Sequence, residues 1–191
     1  MPVMTPAPWI DLRCHPSTHS DTVRAIQAFV RRPASVDLQV TFRVDGDTRR
    51  IRIPSPGVPR IGAQLWRHTC FEAFIAVEGQ SAYHEFNFAP SREWAAYAFH
   101  GYRSGGFTVP EMIRPDIAVR STGDRFELDA LLRLDSLSAI HARAALRIGL
   151  SAVVEASDGL SYWAICHPGD KPDFHNADGF ALLLEPPASQ W

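Results

Sequence analysis

Apolar and polar residues alternate with a period of two along much of this chain. In Val36-Asp37-Leu38-Gln39-Val40-Thr41-Phe42-Arg43-Val44 the alternation is unbroken, as in a strand with one side on a core and the other in water. Asp45-Gly46-Asp47 supplies a turn, and residues 49–53 read as the returning strand of a hairpin. Similar runs follow at 65–77, 82–88, 117–120, 125–134, 145–155, 160–167 and 180–185, with Thr122-Gly123-Asp124 marking a second hairpin. Residues 94–102 allow two readings. Ser91 is placed to cap an Ala-rich helix, yet Ala95, Tyr97 and Phe99 alternate cleanly, and strand is preferred. One segment shows helical spacing instead. After Ser20, a capping residue, Val23, Ile26, Phe29 and Val30 fall on one helical face until Pro33 stops it. Residues 1–17 form a lead-in broken by Pro2, Pro6, Pro8 and Pro16; 54–62 and 103–116 read as Pro/Gly loops, the second flexible; 137–144 adds a short helical turn. The expectation is an all-β antiparallel sandwich with one short N-terminal helix, a single domain spanning 1–191.

Composition narrows the possibilities. Fifteen Pro and twelve Gly spread along the chain fit many short elements joined by turns rather than a helical bundle. A formal charge of −2 with interspersed signs offers no basic stripe for nucleic acid. No apolar run reaches the ~20 residues that span a bilayer, and MPVMTPAPWIDLRCH has neither the basic nor the apolar region of a signal peptide. Three cysteines, an odd number, read as reduced thiols, so a cytoplasmic location is expected.

Chemistry concentrates in two blocks, LWRHTCFEAFI…YHEFNFAPSREWAAYAFHGYR and SYWAICHPGDKPDFH, which share most of the Trp, Cys and His and the only Lys. Aromatic faces mixed with charges and amides are poor core material, which excludes unpaired charge, but they suit a polar ligand with an apolar face, such as a sugar. In the strand at 82–88, period two sets Tyr83, Glu85 and Asn87 on one side, with His84, Phe86 and Phe88 on the other. Glu72 shares a face with His68, Cys70 and Phe74. Antiparallel pairing of these strands gathers Glu72, Glu85, Asn87 and Arg103 as hydrogen-bonding groups, with Trp66, Tyr83, Tyr102 and Trp163 flanking them as stacking surfaces. The competing reading is a buried Glu–Arg network that fixes strand register, with the Trp residues as core. The constrained loop HPGDKPDFH projects Lys171, Asp173 and His175 either toward a binding rim or into turn bonds with backbone.

No C-x-x-C pair or H-E-x-x-H helix appears among His68, Cys70, Cys166, His167 and His175, so no metal is expected; nor do Asp170, Asp173 and Asp178 have the spacing of a calcium loop. A glycoside-processing enzyme using Glu72 and Glu85 as acid and base is the alternative, without a nucleophile elbow, phosphate loop or dinucleotide fingerprint to support it.

With LW…TCFEAFI, YHEFNFAPSREWAAYAF…YR, SYWAICHP…KPDFH and the closing GFALLLEP, the chain resembles the bacterial DOMON-like proteins, relatives of the DOMON and family 9 carbohydrate-binding modules. The resemblance implies a jelly-roll-like antiparallel β-sandwich with residues 94–102 as a strand. It further implies a non-catalytic ligand-binding module, with sugar or haem as ligands of the wider group. The Trp66…Glu72 spacing is similar to a Trp and Glu that hold a terminal sugar there, and Trp163 is the corresponding candidate for an opposing aromatic. Haem-binding members use Met and His as axial ligands; here the only interior Met is Met112, in the 103–116 loop. The expected partner is a small molecule, a sugar, with no cofactor.

Overall fold

The period-two segments become strands, and strands also form where the sequence pattern predicts none. In the computed structural model, which describes residues 9–186, these are β1 (Ile10–Cys14), β2 (Val23–Ala34), β3 (Asp37–Gly46), β4 (Arg60–Ile61), β5 (Cys70–Val77), β6 (Tyr83–Phe88), β7 (Glu93–Gly101), β8 (Ser104–Thr108), β9 (Asp116–Ser121), β10 (Arg125–Arg133), β11 (Leu146–Ala156), β12 (Gly159–Ala164) and β13 (Leu182–Leu184). They hydrogen-bond in the order β4-β7-β6-β5-β11-β12-β1-β2-β3-β10-β9, with β8 added to β7 and β13 to β11. Pairing is antiparallel except for the short β4–β7 contact. The sheet curls at β1, which pairs with β12 on one side and β2 on the other, so its two halves face each other as a jelly-roll-like β-sandwich.

Alternate residues of both halves fill the space between them. Leu38, Val40 and Phe42 from β3 and Phe126 and Leu128 from β10 meet Phe71, Ala73 and Ile75 from β5 and Leu150 and Ala152 from β11 in one apolar cluster. Phe71 sits at its centre, 5.1 Å from Phe42 and stacked 5.7 Å from Phe126 by ring centroids. Burying each of the larger side chains contributes about 1.5–3 kcal/mol, and this seam holds the halves together.

The segment expected to be an N-terminal helix is strand β2; the one α-helix among the described residues is the single turn Leu134–Leu137. The helical spacing has a local cause. A register shift between Val23 and Ala25 lets Val23 and Ile26, three apart, both point inward, and Ile26, Ala28 and Val30 then continue with period two. Ser20 does accept N–H bonds from Thr22 and Val23, but they begin a strand. Pro33 is tolerated because it lies in a second irregularity, between Arg31 and Ala34.

The hairpin expected at 36–53 is also corrected. Both edges of β3 are taken, by β2 and β10, so residues 49–53 have no edge to pair with; Thr48–Arg50 is a 3-10 turn and Ile51 bridges Ala156. The excursion at 103–116 contains strand β8, whose Gly105 and Gly106 adopt positive φ as it pairs with β7. Residues 94–102 and the hairpin around Gly123 form as expected, as β7 and as β9–β10. Of the lead-in prolines, Pro2, Pro6 and Pro8 lie outside the described residues, and β1 follows directly. Among the described residues no helix is long and apolar enough to cross a membrane.

Candidate functional site

Every residue of β5 is buried, although only alternate ones face the core. The others support a second structure on the outer side of the sheet. Register places Ala95, Asn87, Glu72, Ser151 and Ala164 in one row across β7, β6, β5, β11 and β12. Tyr97, Glu85, Phe74 and Gly149 make the next. The chain after β12 folds back over part of this face, seating Phe180 on Phe74 (5.4 Å, stacked) and His175 between Phe74 and Phe99.

Beside this cover the sheet opens into a cleft of about 460 Å³, lined by Trp66, Glu72, Glu85, Tyr97, Phe99, Arg103, Gly106, Val153, Tyr162, Pro172, Phe174 and His175. That is within the usual range for small-molecule pockets, and it has their composition: aromatic walls with few polar groups. Trp66 is 40% exposed and meets Tyr97 edge-on at 6.1 Å. It stands on a 3-10 turn, Leu65–Arg67, entered through Gln64 at positive φ.

The floor carries two carboxyl groups. Glu72 is only 3% exposed and its Oε2 accepts from Ser151 Oγ at 3.2 Å; among the described residues Oε1 has no hydrogen-bond partner. Glu85 is 6% exposed and its Oε1 accepts from Asn87 Nδ2 at 2.7 Å, while Oε2 lies 3.6 Å from His175 Nε2, too far for a hydrogen bond. Burial pushes both carboxyls above the ordinary range, Glu72 furthest because the charge of Glu85 adds to it. Asn87 is fully buried beneath the floor, accepting from the Cys70 thiol and donating to Glu85, so it orients the acid rather than facing the cleft. Burial, then the two glutamates, pushes the Cys70 thiol well up and keeps it protonated.

The rim is a connected network. Tyr83, stacked on Phe99 at 4.8 Å, accepts the Arg103 backbone N–H at 3.2 Å. Its own proton is therefore free for His175 Nδ1, 2.8 Å away, which leaves Nε2 carrying the imidazole proton toward Glu85. Burial, then the Arg103 charge, lowers His175 to about 4, so the ring is neutral at pH 7. The Arg103 guanidinium is taken up by Asp173 at 2.8 Å, and Asp173 also accepts from Tyr102 at 2.7 Å. Burial works against the Asp173 charge, but the bonds from Tyr102 and Arg103 outweigh it and hold the carboxyl below its usual value.

Of the residues named from sequence, Trp66, Glu72, Glu85, Arg103 and His175 line the cleft, while Asn87 supports the floor through Glu85 and Tyr83 supports the rim through His175 and the Arg103 backbone. Trp163 does not join them. It is 7% exposed in the sandwich core, its Nε1 donating to Ser161, because it pairs opposite Ala152 and so points to the inner side. Tyr162, one residue earlier, takes the outer side and lines the cleft. Lys171 is exposed beside Pro172 and does not line it. Tyr102 is turned outward onto Asp173. Tyr97 and Phe99 were legible as one strand face; what remained hidden was that this face pairs with Glu85 and Tyr83.

The histidines and thiols weighed as metal ligands are spread apart. His68 bonds Glu155 at 2.7 Å, and His167 bonds the Arg13 carbonyl at 2.8 Å. Among the described residues no group of three or more His, Cys, Asp or Glu is placed to hold a metal ion.

Solved structures of like fold include a candidate carbohydrate-binding protein from Bacteroides uniformis, with TM-score 0.64 at 10% identity over 91% of this chain and 84% of the other. A family 9 carbohydrate-binding module from Caldicellulosiruptor kristjanssonii, in complex with glucose, aligns with TM-score 0.53 at 11% identity over 96% and 86%. At these identities the likeness is one of fold. No family model and no curated protein matches the sequence.

Proposed function

We propose that the cleft binds carbohydrate, one sugar unit or the end of a glycan, without acting on it. The observation that carries this reading is the pairing of an aromatic wall with an acid floor whose hydrogen-bonding capacity is only partly used. Trp66 and Tyr97 offer faces for the C–H side of a pyranose. The free oxygens of Glu72 and Glu85 and the Nε2–H of His175 offer partners for its hydroxyls. The volume suits a monosaccharide with part of a neighbour. Support also comes from the fold shared with a module described in complex with glucose. Membership of the DOMON-like proteins, with residues 1–191 as one unit, belongs to the same proposal.

A thermal-shift screen of mono- and disaccharides tests it. At a hundredfold excess over its dissociation constant a ligand stabilises the fold by about 2.7 kcal/mol. For a chain of this size that is an upward shift of about 5–10 °C. Trp66→Ala, a change at an exposed position, is expected to abolish the shift while leaving the unliganded melting temperature within about 2 °C. A screen in which no carbohydrate moves the transition discards the reading.

A further inference from the structure

The floor of the cleft is richer in acceptors than a neutral sugar requires. Glu72 Oε1 and Glu85 Oε2 both lack a short hydrogen bond, and both carboxyls are more than nine-tenths buried. The nearest cation is Arg103, but its guanidinium is bonded to Asp173 and makes no ion pair with either glutamate. His175 is held neutral. Burial raises both carboxyls despite the Arg103 charge, so the ionised pair is costly in this setting, and a cation placed over it lowers that cost and favours ionisation. The walls point the same way. Trp66, Tyr97 and Tyr162 line the cleft beside this floor, and an aromatic face attracts a cation, most strongly for Trp.

Resting on the carbohydrate reading, we propose that the preferred ligand is a sugar bearing a free primary amine, a hexosamine unit whose ammonium group sits over Glu72 and Glu85. An ammonium brings three donors and no acceptor, which matches the two carboxyl oxygens left without a short hydrogen bond. The sugar ring then lies against Trp66, with its remaining hydroxyls toward His175 and the Arg103–Asp173 pair. No bond is made or broken.

Titration calorimetry of the full chain at pH 7 with D-glucosamine, D-glucose and N-acetyl-D-glucosamine separates the possibilities. Glucosamine is expected to bind at least tenfold more tightly than glucose. N-acetylglucosamine, whose amine is capped and uncharged, is expected at or below the glucose level. Raising sodium chloride from 0.05 to 0.5 M is expected to narrow the preference for the amine without touching glucose binding. Glu72→Gln and Glu85→Gln, which keep shape and lose charge, are each expected to cut glucosamine affinity severalfold more than glucose affinity, with thermal unfolding confirming that both variants fold. Equal binding of glucose and glucosamine overturns the amine preference and leaves the carbohydrate reading standing. If none of the three sugars binds, the amine preference falls, and the carbohydrate reading stands or falls with the wider screen. Choline binding in the absence of any sugar binding also overturns the proposal.

Discussion

Asn87 shows how much of the site depends on a side chain that never meets solvent. Among the described residues it supplies the only short hydrogen bond to Glu85 and takes one of the two from the Cys70 thiol, the other going to the Phe71 carbonyl. Asn87→Asp keeps the shape but replaces a donor with a third acid beside Glu72 and Glu85, in a region where burial already disfavours charge. The expected loss is about 2–3 kcal/mol at pH 7–8. Because protonation relieves the repulsion, the loss is expected to shrink on acidification toward pH 4.5, and urea unfolding at several pH values reads it. The polar identity of Asn87 and its place on the face of Glu85 were both readable from residue pattern alone. Its role as a support for the acid was not, because that depends on which oxygen of which neighbour it reaches.

At the level of elements, the cleft exists because β5 and β11 are covered on both sides. Gly149 on β11 makes room for this: a Cβ there would stand 2.7 Å from Phe180 Cδ1 and 3.4 Å from Phe74. Phe180 in turn stacks on Phe74 and holds the returning segment that carries His175. Gly149→Ala is therefore expected to destabilise by about 1–3 kcal/mol, through overpacking rather than backbone strain. It is also expected to weaken ligand binding, measurable as a lower melting temperature and a smaller ligand-induced shift. The same scale explains what alternation could and could not predict. β3 and β10 alternate along nearly their whole length and are visible in the pattern; β6 is visible too, although both of its faces are largely buried. β2 has the spacing of a helix because its bulge places Val23 and Ile26 three apart, and β8 is too rich in glycine and too exposed to alternate. Which of Tyr162 and Trp163 faces the cleft is settled only by the pairing of β12, which sets Trp163 opposite Ala152 and Tyr162 opposite Val153.

For the molecule as a whole, two sets of buried groups pull stability in opposite directions with pH. Glu72 and Glu85 have raised values, so their favourable contribution is complete below the unfolded value of 4.5 and is lost as pH rises through the folded ones. His141 and His175 are lowered to about 4, the first by burial and the facing His84, the second by burial and Arg103. Their contribution is complete above 6.5 and is lost as pH falls toward 4. The expected outcome is a melting temperature that falls between pH 6.5 and 4 through the histidines, the fall being partly offset by the glutamates. His141→Gln is expected to flatten that slope, whereas Glu72→Gln is expected to raise stability above pH 7 with little effect near pH 4. Scanning calorimetry across this range checks all three. Local pattern by itself determined that the chain is built largely of strands and that Glu72 shares a face with Cys70 and Phe74, and Glu85 with Tyr83 and Asn87, since side-chain period is a property of each strand alone. Only the tertiary structure decided that the acids lie on the floor of an open cleft, that Tyr162 and not Trp163 completes its wall, and that Asp173 occupies the one nearby cation. Those outcomes depend on register between strands distant in sequence, and a shift of one residue there turns every side chain to the opposite face.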